Sequence, residues 1–301
     1  MRRLIAIVGA TATGKTGLSI ALAGELDGEI VNADSRQIYR GMDIGTAKPG
    51  ADERSAVPHH LIDIAAPDDA FSLALYLDVA RAALDDIWAR GGQPILAGGT
   101  GQYAWSLIEG WRVPRVAPNA ALRAELAERA RREGAAAVAA TLRAIDPASA
   151  DAIDERNVRR VIRAIEVTRA TGVPFSEWQQ KDQPPFAVTI LGLRLARDVL
   201  YGRIDARVDA MISGGLIDEV RVLNAAGYGC DLASMGSIGY REICAHLRGE
   251  LTLADAVARI KTETHRLART QHTWFRDDDG RIQWLDAAAG DLVPQALDRL
   301  G

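Results

Sequence analysis

Apolar residues along the chain fall into two rhythms, and the two alternate. A short unbroken run at residues 4–8 leads into a glycine-rich turn and reads as a buried strand. Lys15–Leu26 then carries Leu18, Ala21, Leu22 and Leu26 at helical spacing. Residues 29–33 form a second strand, 60–64 a third, and 72–90 a helix with Ser72 as its N-cap. "QPILAGGTGQY" repeats the theme: a strand at 94–97, a glycine turn, then a helix. Such alternation predicts βαβ units and a parallel sheet.

The rhythm changes at about residue 114. From there to 185 the chain is rich in Ala, Arg and Glu and shows no strand pattern. "NAALRAELAERARREGAAAVAATLRAI" and "NVRRVIRAIEVTRATG" are two helical blocks separated by a "DPASADAI" turn and short helix. The β-branched run "AVTILGLRL" at 187–195 resumes the sheet, helices follow through Arg276, and "RIQWLD" adds a late strand. The expected fold is α/β: a parallel-sheet core from 1–113 and 186–301, the latter with C-terminal helices, and an all-helical insertion at 114–185.

Hydrophobic residues at 48% and charged residues at 25% are ordinary for a soluble globular chain. Cys230 and Cys244 match no metal or disulfide framework, which makes a reducing cytoplasm the default expectation. The opening "MRRLIAIVGA" has two arginines before an apolar run, but that run is too short for a signal peptide and enters the glycine loop directly. No apolar stretch approaches the ~18 residues of a membrane helix. A net charge of −4 argues against a general nucleic-acid coat protein, yet leaves room for a local basic groove.

Gly9-Ala10-Thr11-Ala12-Thr13-Gly14-Lys15-Thr16 satisfies the phosphate-loop pattern G-x-x-x-x-G-K-[ST], and it lies between a strand and a helix as that pattern requires. The glycines let backbone N–H groups curl around a phosphate, Lys15 adds a point charge, and Thr16 offers a hydroxyl to Mg²⁺. The loop alone does not settle the reaction. Asp63, at the end of "HLID", reads equally as a metal-organising acid or as a cap or surface turn. Asp34 closes the second strand and should face the loop across the crevice beyond the strand ends, with Thr100 after the "AGGT" turn. A carboxylate there can accept a proton from a nucleophile, and it can equally cap the segment that follows.

The wider string distinguishes these. "DSRQIYRGMDIGTAKP", together with "GATATGKT" and "GGTGQY", closely resembles the tRNA dimethylallyltransferases, also called tRNA isopentenyltransferases. The resemblance extends in order through "DPASADAI", "RRVIRAIEV", "RIDARVDAMISGGLIDEV", "SIGYREI" and "LARTQHTWFR", nearly the whole chain. It implies transfer of a dimethylallyl group from dimethylallyl diphosphate to the exocyclic amine of the adenosine immediately 3′ of the anticodon in tRNA, with Mg²⁺. Asp34 would then take the amine's proton while Lys15, Thr16 and the metal receive the charge of the departing diphosphate. By the same resemblance Arg207 reaches the diphosphate, Thr100 steadies the amine or the diphosphate, and Ser35, Arg36 and Gln37 line the path of the nucleic acid.

Acting on a base edge requires taking the base out of its stack, which stacking side chains and phosphate contacts partly offset. Arg156, Arg160 and Arg163 share one helical face, with Arg159 beside them. Lys261, His265, Arg269, His272 and Arg276 step along a second, and "GSIGYR" at 236–241 supplies Gly236, Tyr240 and Arg241. Taken singly, such stripes are ordinary solvated faces. The resemblance assigns Arg123, Arg159, Arg160, Arg163, Gly236, Tyr240, Arg241, Arg269, Gln271, Trp274 and Arg276 to the tRNA, although Trp274 reads equally as core. His59 and His60 lack a third ligand and read as loop residues. The chain departs from the family in "DERN" at 154–157, where "HPND" is common, and in "ARTQ" at 268–271, where "AKRQ" is common; the second removes a cation at Thr270. The resemblance further implies a monomer; the expected location is the cytoplasm, with no membrane, from the cysteine usage and hydropathy above. On the residues alone, three rivals stay open: an adenylate isopentenyltransferase acting on free nucleotide, a P-loop kinase or hydrolase, and a non-catalytic RNA-binding protein with a vestigial loop.

Overall fold

A computed structural model describes residues 2–301. Six strands, β1 (Arg3–Gly9), β2 (Gly28–Asn32), β3 (His59–His60), β4 (Gln93–Ala97), β5 (Ala187–Arg194) and β6 (Ile282–Asp286), make one sheet in the order β3-β2-β4-β1-β5-β6. Every pair in it is parallel. β1 and β2 are buried along almost their whole length, as strands covered on both faces must be; β1 is accordingly a continuous apolar run, while β2 also buries Glu29 and Asn32.

Around the sheet run α1 (Lys15–Leu26), α2 (Ala51–Ala56), α3 (Leu73–Ala89) and α4 (Gly101–Ile108), then, later in the chain, helices that flank β5 and β6. The helical unit between them holds α5 (Ala120–Glu133), α6 (Ala135–Ile145), α7 (Pro147–Ala152) and α8 (Val158–Thr171). After β5 come α9 (Arg197–Ser213), α10 (Leu216–Ala225), α11 (Tyr240–Leu247) and α12 (Leu253–Trp274), and after β6 comes α13 (Leu292–Leu300). Leu18 and Leu22 of α1 and Ala296 and Leu300 of α13 pack with Ile5, Ile7, Ile95 and Leu193 of the sheet. Helices α9 to α12 enclose a second core around Ile38, Met42 and Tyr240. Ser72 caps α3 by accepting the Leu75 N–H, the role expected of it.

The chain divides into two compact units, Met1–Ile108 with Pro184–Gly301, and Glu109–Gln183. The divisions fall at 108/109 and 183/184, both a few residues earlier than the expected 113/114 and 185/186. Residues 109–113 join the helical unit because Trp111 pairs antiparallel with Lys181, Arg112 N–H donates to Gln180 O, and the Arg112 guanidinium grips Asp182. That unit has its own core of Leu126, Val138, Leu142, Val161 and Ile165.

Three expectations need correction. The third strand is His59–His60, not 60–64, because Leu61 (φ 65°) and Asp63 (φ 58°) leave the extended region. β2 ends at Asn32, so Asp34 sits two residues past the strand rather than closing it. Cys230 and Cys244 are bonded to each other, with Cα atoms 5.9 Å apart, where the spacing suggested no disulfide. The argument for a reducing compartment from cysteine usage therefore falls.

Candidate active site

The glycine loop leaves β1 at Gly9 (φ 137°), where an added Cβ would lie 2.5 Å from the Leu193 carbonyl oxygen, and enters α1 through Gly14 (φ 96°). Only glycine suits both positions. Within the turn the Thr13 hydroxyl donates to Ala10 O at 2.9 Å and Lys15 Nζ donates to the same oxygen at 2.7 Å. Gln271, from α12, closes the other side: its Oε1 accepts the Thr11 N–H at 2.7 Å and its Nε2 donates to Gly99 O at 2.9 Å. Arg207 of α9 donates to the Thr11 hydroxyl. A cavity of about 380 Å³ opens here, lined by Thr11, Ala12, Gly14, Lys15, Thr16, Asp34, Gln37, Arg203, Arg207 and Gln271 among others. Gly9, Ala10 and Thr13 shape the loop from behind without lining it.

The charge balance of the cavity is positive. Desolvation and then the Arg207 charge push the Lys15 ammonium down to about 8, against an opposing pull from Asp34. Burial also lowers Arg207, again opposed by Asp34. A lysine and an arginine repelling one another in a desolvated pocket are relieved by an anion between them, which is the electrostatic signature of a phosphate site.

Asp34 stands opposite on a short rigid frame. Asn32, 4% exposed, accepts the Asp34 N–H through Oδ1 at 3.0 Å and donates through Nδ2 to Asp34 O and Leu61 O. Asp34 Oδ1 accepts the Arg36 N–H at 2.8 Å, so one carboxylate oxygen is engaged in orienting the group. Thr100 and Ser35 do not line the cavity. The Thr100 hydroxyl accepts the Ser35 N–H at 3.0 Å, and its own N–H donates to Ala33 O, which fixes the turn that carries Asp34. Gln37 reaches the cavity and donates to Thr46 O and Ala47 O.

Asp63 is no metal acid in waiting. Its two oxygens hold Lys48 at 2.6 Å and Arg54 at 2.7 Å. His60 bonds Glu29 rather than pairing with His59 around a metal. Sequence reasoning missed Asn32, Arg203 and Glu219. Glu219 accepts the N–H groups of Asp43, Ile44 and Gly45 and the Tyr240 hydroxyl, thereby pinning the "DIGT" loop whose Thr46 and Ala47 form one wall of the cavity. The buried polar Asn32 within an apolar strand was a readable signal; the other two gave none.

Residues expected on the nucleic-acid path divide sharply. In the helical unit, Arg159 and Arg160 are exposed on α8, while Arg123 and Arg163 both grip Glu166, a carboxylate only 1% exposed. In the sheet unit, Gly236 is exposed and Arg241, paired with Glu242, is also exposed. Tyr240 is fully buried, its hydroxyl turned to Glu219; it is a core residue and cannot stack on a base, a correction to the expectation for it. Gln271, 6% exposed, belongs to the loop cavity and not to an outer surface. Arg269 donates to the Tyr201 hydroxyl and Arg276 pairs with Asp278 beyond the end of α12. Trp274 is 36% exposed, with its ring against Gly101. The expected cationic stripe on α12 is partly neutralised, since Lys261 pairs with Asp209.

A parallel sheet with a glycine phosphate loop after its first strand, and with a lysine, two arginines and an opposed carboxylate around one open cavity, defines a P-loop enzyme acting on a phosphorylated ligand. Comparison with known proteins narrows that class. The family model described as IPP transferase matches residues 37–278, and that described as isopentenyl transferase matches 2–63. The tRNA dimethylallyltransferase of Roseiflexus sp. (strain RS-1) is 55% identical over 97% of this chain and 96% of its own. That of Herpetosiphon aurantiacus is 50% identical over 99% of this chain and 94% of its own. Among solved structures, the tRNA isopentenylpyrophosphate transferase of Bacillus halodurans is 40% identical with a TM-score of 0.73, covering 99% of this chain and 94% of that one. A eukaryotic dimethylallyltransferase acting on tRNA is 27% identical with a TM-score of 0.84, covering 99% of this chain and 78% of that one. The chain belongs to the IPP transferase family, and it is a prenyl-transferring enzyme.

Proposed function

We propose that the chain transfers a dimethylallyl group from dimethylallyl diphosphate to the exocyclic amine of the adenosine next to the anticodon in tRNA, with release of diphosphate. The observation that carries this reading is Asp34 facing Lys15 and Arg207 across the phosphate-loop cavity. The loop holds the diphosphate as a leaving group. As the allylic carbon–oxygen bond breaks and the carbon–nitrogen bond forms, negative charge moves onto the diphosphate, where Lys15, Arg207 and the loop N–H groups receive it. The adenine amine is a weak nucleophile because its lone pair is delocalised into the ring. Asp34, oriented through one oxygen by the Arg36 N–H, accepts the amine's proton as the new bond forms. Thr100 acts on that carboxylate through the backbone, by holding Ser35 and Ala33.

A divalent metal, Mg²⁺ in this reading, fits the residues present. Among the described residues no three His, Cys, Asp or Glu side chains form a ligand group. Thr16 lines the cavity, and its hydroxyl would be the protein ligand, with diphosphate oxygens and water completing the shell that Mg²⁺ favours. When bound, the metal would neutralise charge on the diphosphate. Ser35, Arg36, Gln37, Gly236, Arg241, Arg269, Trp274 and Arg276 of the sheet unit, and Arg159 and Arg160 of the helical unit, serve the RNA in this reading. Arg123 and Arg163 serve it with their guanidiniums already oriented by Glu166. Among the described residues no helix is long and apolar enough to cross a membrane. The reading places a monomeric enzyme in the cytoplasm with its acceptor.

The test is transfer of radiolabel from dimethylallyl diphosphate to an unmodified anticodon stem-loop, with AMP as a parallel acceptor. Wild type labels the RNA and not AMP. Asp34→Ala lowers kcat by about 10²–10⁴-fold while donor binding is kept. Label in AMP alone, or ATP hydrolysis without label, would overturn the reading.

A further inference from the structure

A second cavity, of about 170 Å³, lies between the end of β5, the first turn of α9 and the last turns of α12. It shares no lining residue with the phosphate-loop cavity. Its floor is apolar, from Leu195, Leu200 and Ala268; its rim is Arg197, Tyr201, Arg269 and His272. The rim is organised around one ring. Tyr201 stacks on His265 with centroids 4.0 Å apart and planes 6° apart. The Arg197 guanidinium carbon sits 5.2 Å from the Tyr201 ring centroid, and Arg269 Nη1 donates to the Tyr201 hydroxyl at 2.9 Å. One tyrosine therefore orders two guanidiniums at the mouth of one small cavity.

These arginines differ in their partners from others late in the chain, where Arg266 pairs with Glu263, Arg276 with Asp278 and Arg281 with Asp279. Of the acidic groups of α9, Asp209 is held by Lys261, and Asp205 lies 3.0 Å from His265 Nε2. Arg197 and Arg269 are held by aromatic and hydroxyl contacts instead, in a chain whose net charge is −4. Guanidiniums ordered without an internal anion have their forked donors available to an external one. The volume is below the ~300 Å³ at which cavities begin to hold whole small-molecule ligands. It suits a single phosphoryl group seated over an apolar floor.

We propose that this cavity is a seat for one backbone phosphate of the RNA acceptor, gripped by Arg197 and Arg269, with Tyr201 as the positioning residue. The proposal rests on the acceptor being RNA. A free phosphate would present the same chemistry, and the experiment separates the two sources.

Binding of a fluorescent anticodon stem-loop to the full chain is followed by anisotropy across a KCl series, for wild type, Arg197→Gln, Arg197→Lys and Tyr201→Phe. Donor affinity is measured on the same preparations with dimethylallyl diphosphate, and inorganic phosphate is titrated separately by calorimetry. Arg197→Gln is expected to weaken RNA binding about tenfold and to reduce the log–log salt slope by about one, with donor affinity unchanged. Arg197→Lys keeps the slope but not the full affinity, because a point charge replaces the fork. Tyr201→Phe weakens RNA binding without altering the slope, the mark of a positioning role. If wild type labels RNA and Arg197→Gln binds it like wild type with the same slope, the seat is overturned while the enzyme reading stands. If Arg197→Gln loses only calorimetric binding of inorganic phosphate, the site serves a free anion and the proposal is likewise overturned. If wild type neither binds nor labels the stem-loop, the enzyme reading fails first and the seat falls with it.

Discussion

The smallest decisive contact in the enzyme is between two backbones. A Cβ on Gly98 would lie 2.2 Å from the Ala33 carbonyl carbon, and backbone at that position has nowhere to go. Ala33 immediately precedes Asp34, and its N–H and C=O are bonded to Ala97 and Thr100. Gly98→Ala therefore displaces the residue before Asp34, the proposed proton acceptor. We expect it to cost about 1–3 kcal/mol in urea unfolding and to lower kcat more than the KM for dimethylallyl diphosphate; an equal fall in donor affinity would contradict that account. The phosphate loop was legible because eight consecutive residues carry it and neighbouring elements give its context. Glu219 was not legible, since the N–H groups that it holds lie 174 to 176 positions away in the chain. Tyr240 misled for the same reason: "SIGYR" looks like a solvent-facing turn until its partners on α10 and in the "DIGT" loop are known.

At the level of elements, α8 shows how a buried charge can organise a helical unit. Burial alone would raise the Glu166 carboxyl, but hydrogen bonds from Arg123, the Asn119 N–H and Arg163 outweigh it and hold the group at about 2. Since the folded value lies below the ordinary 4.5, this contribution is complete above pH 4.5 and is lost as pH falls toward 2. It amounts to about 3 kcal/mol at neutral pH. Glu166→Gln should destabilise the helical unit by about 3–5 kcal/mol at pH 7, where two guanidiniums lose their counter-charge, and the gap from wild type should narrow between pH 4.5 and 2. Unfolding by circular dichroism at several pH values measures both. A gap that stays constant with pH would remove Glu166 from this role. The Cys230–Cys244 bond acts on α11 by joining it to the preceding loop across a separation of 14 residues. Reduction is expected to lower stability by about 3 kcal/mol and to free both thiols for alkylation together. Helices and long strands were legible from apolar periodicity; β3 was not, because two left-handed residues cut the run "HLIDI" short, and no pattern of hydrophobicity reports φ.

For the whole molecule, the helical stretch Glu109–Gln183 closes on itself through the Trp111–Lys181 pairing and encloses its own core. Excised, it should be helical by circular dichroism and melt cooperatively but at modest temperature, as a chain of that size buries little apolar surface. A non-cooperative melt would mean that its core does not stand alone. The change of composition near residue 114 made the segment visible in the sequence; the few residues that tie its neck did not, because an antiparallel pair so short has no periodicity to read.

The strand order carries a consequence for synthesis. β1 is paired on one side by β4, but on the other by β5, from Arg3 opposite Ala187 to Gly9 opposite Leu193. A ribosome working at about 5–20 residues per second finishes β5 on the order of ten seconds or more after β1. Through that interval the most apolar strand in the sheet offers seven residues of open backbone along one flank, the geometry that recruits other chains. The nascent enzyme is thus at its most vulnerable while its helical unit is being made, and a chain stopped at residue 186 should aggregate as it is released. Added peptide corresponding to Ala187–Arg194 should slow that aggregation by occupying the flank. An unaffected rate would place the hazard elsewhere.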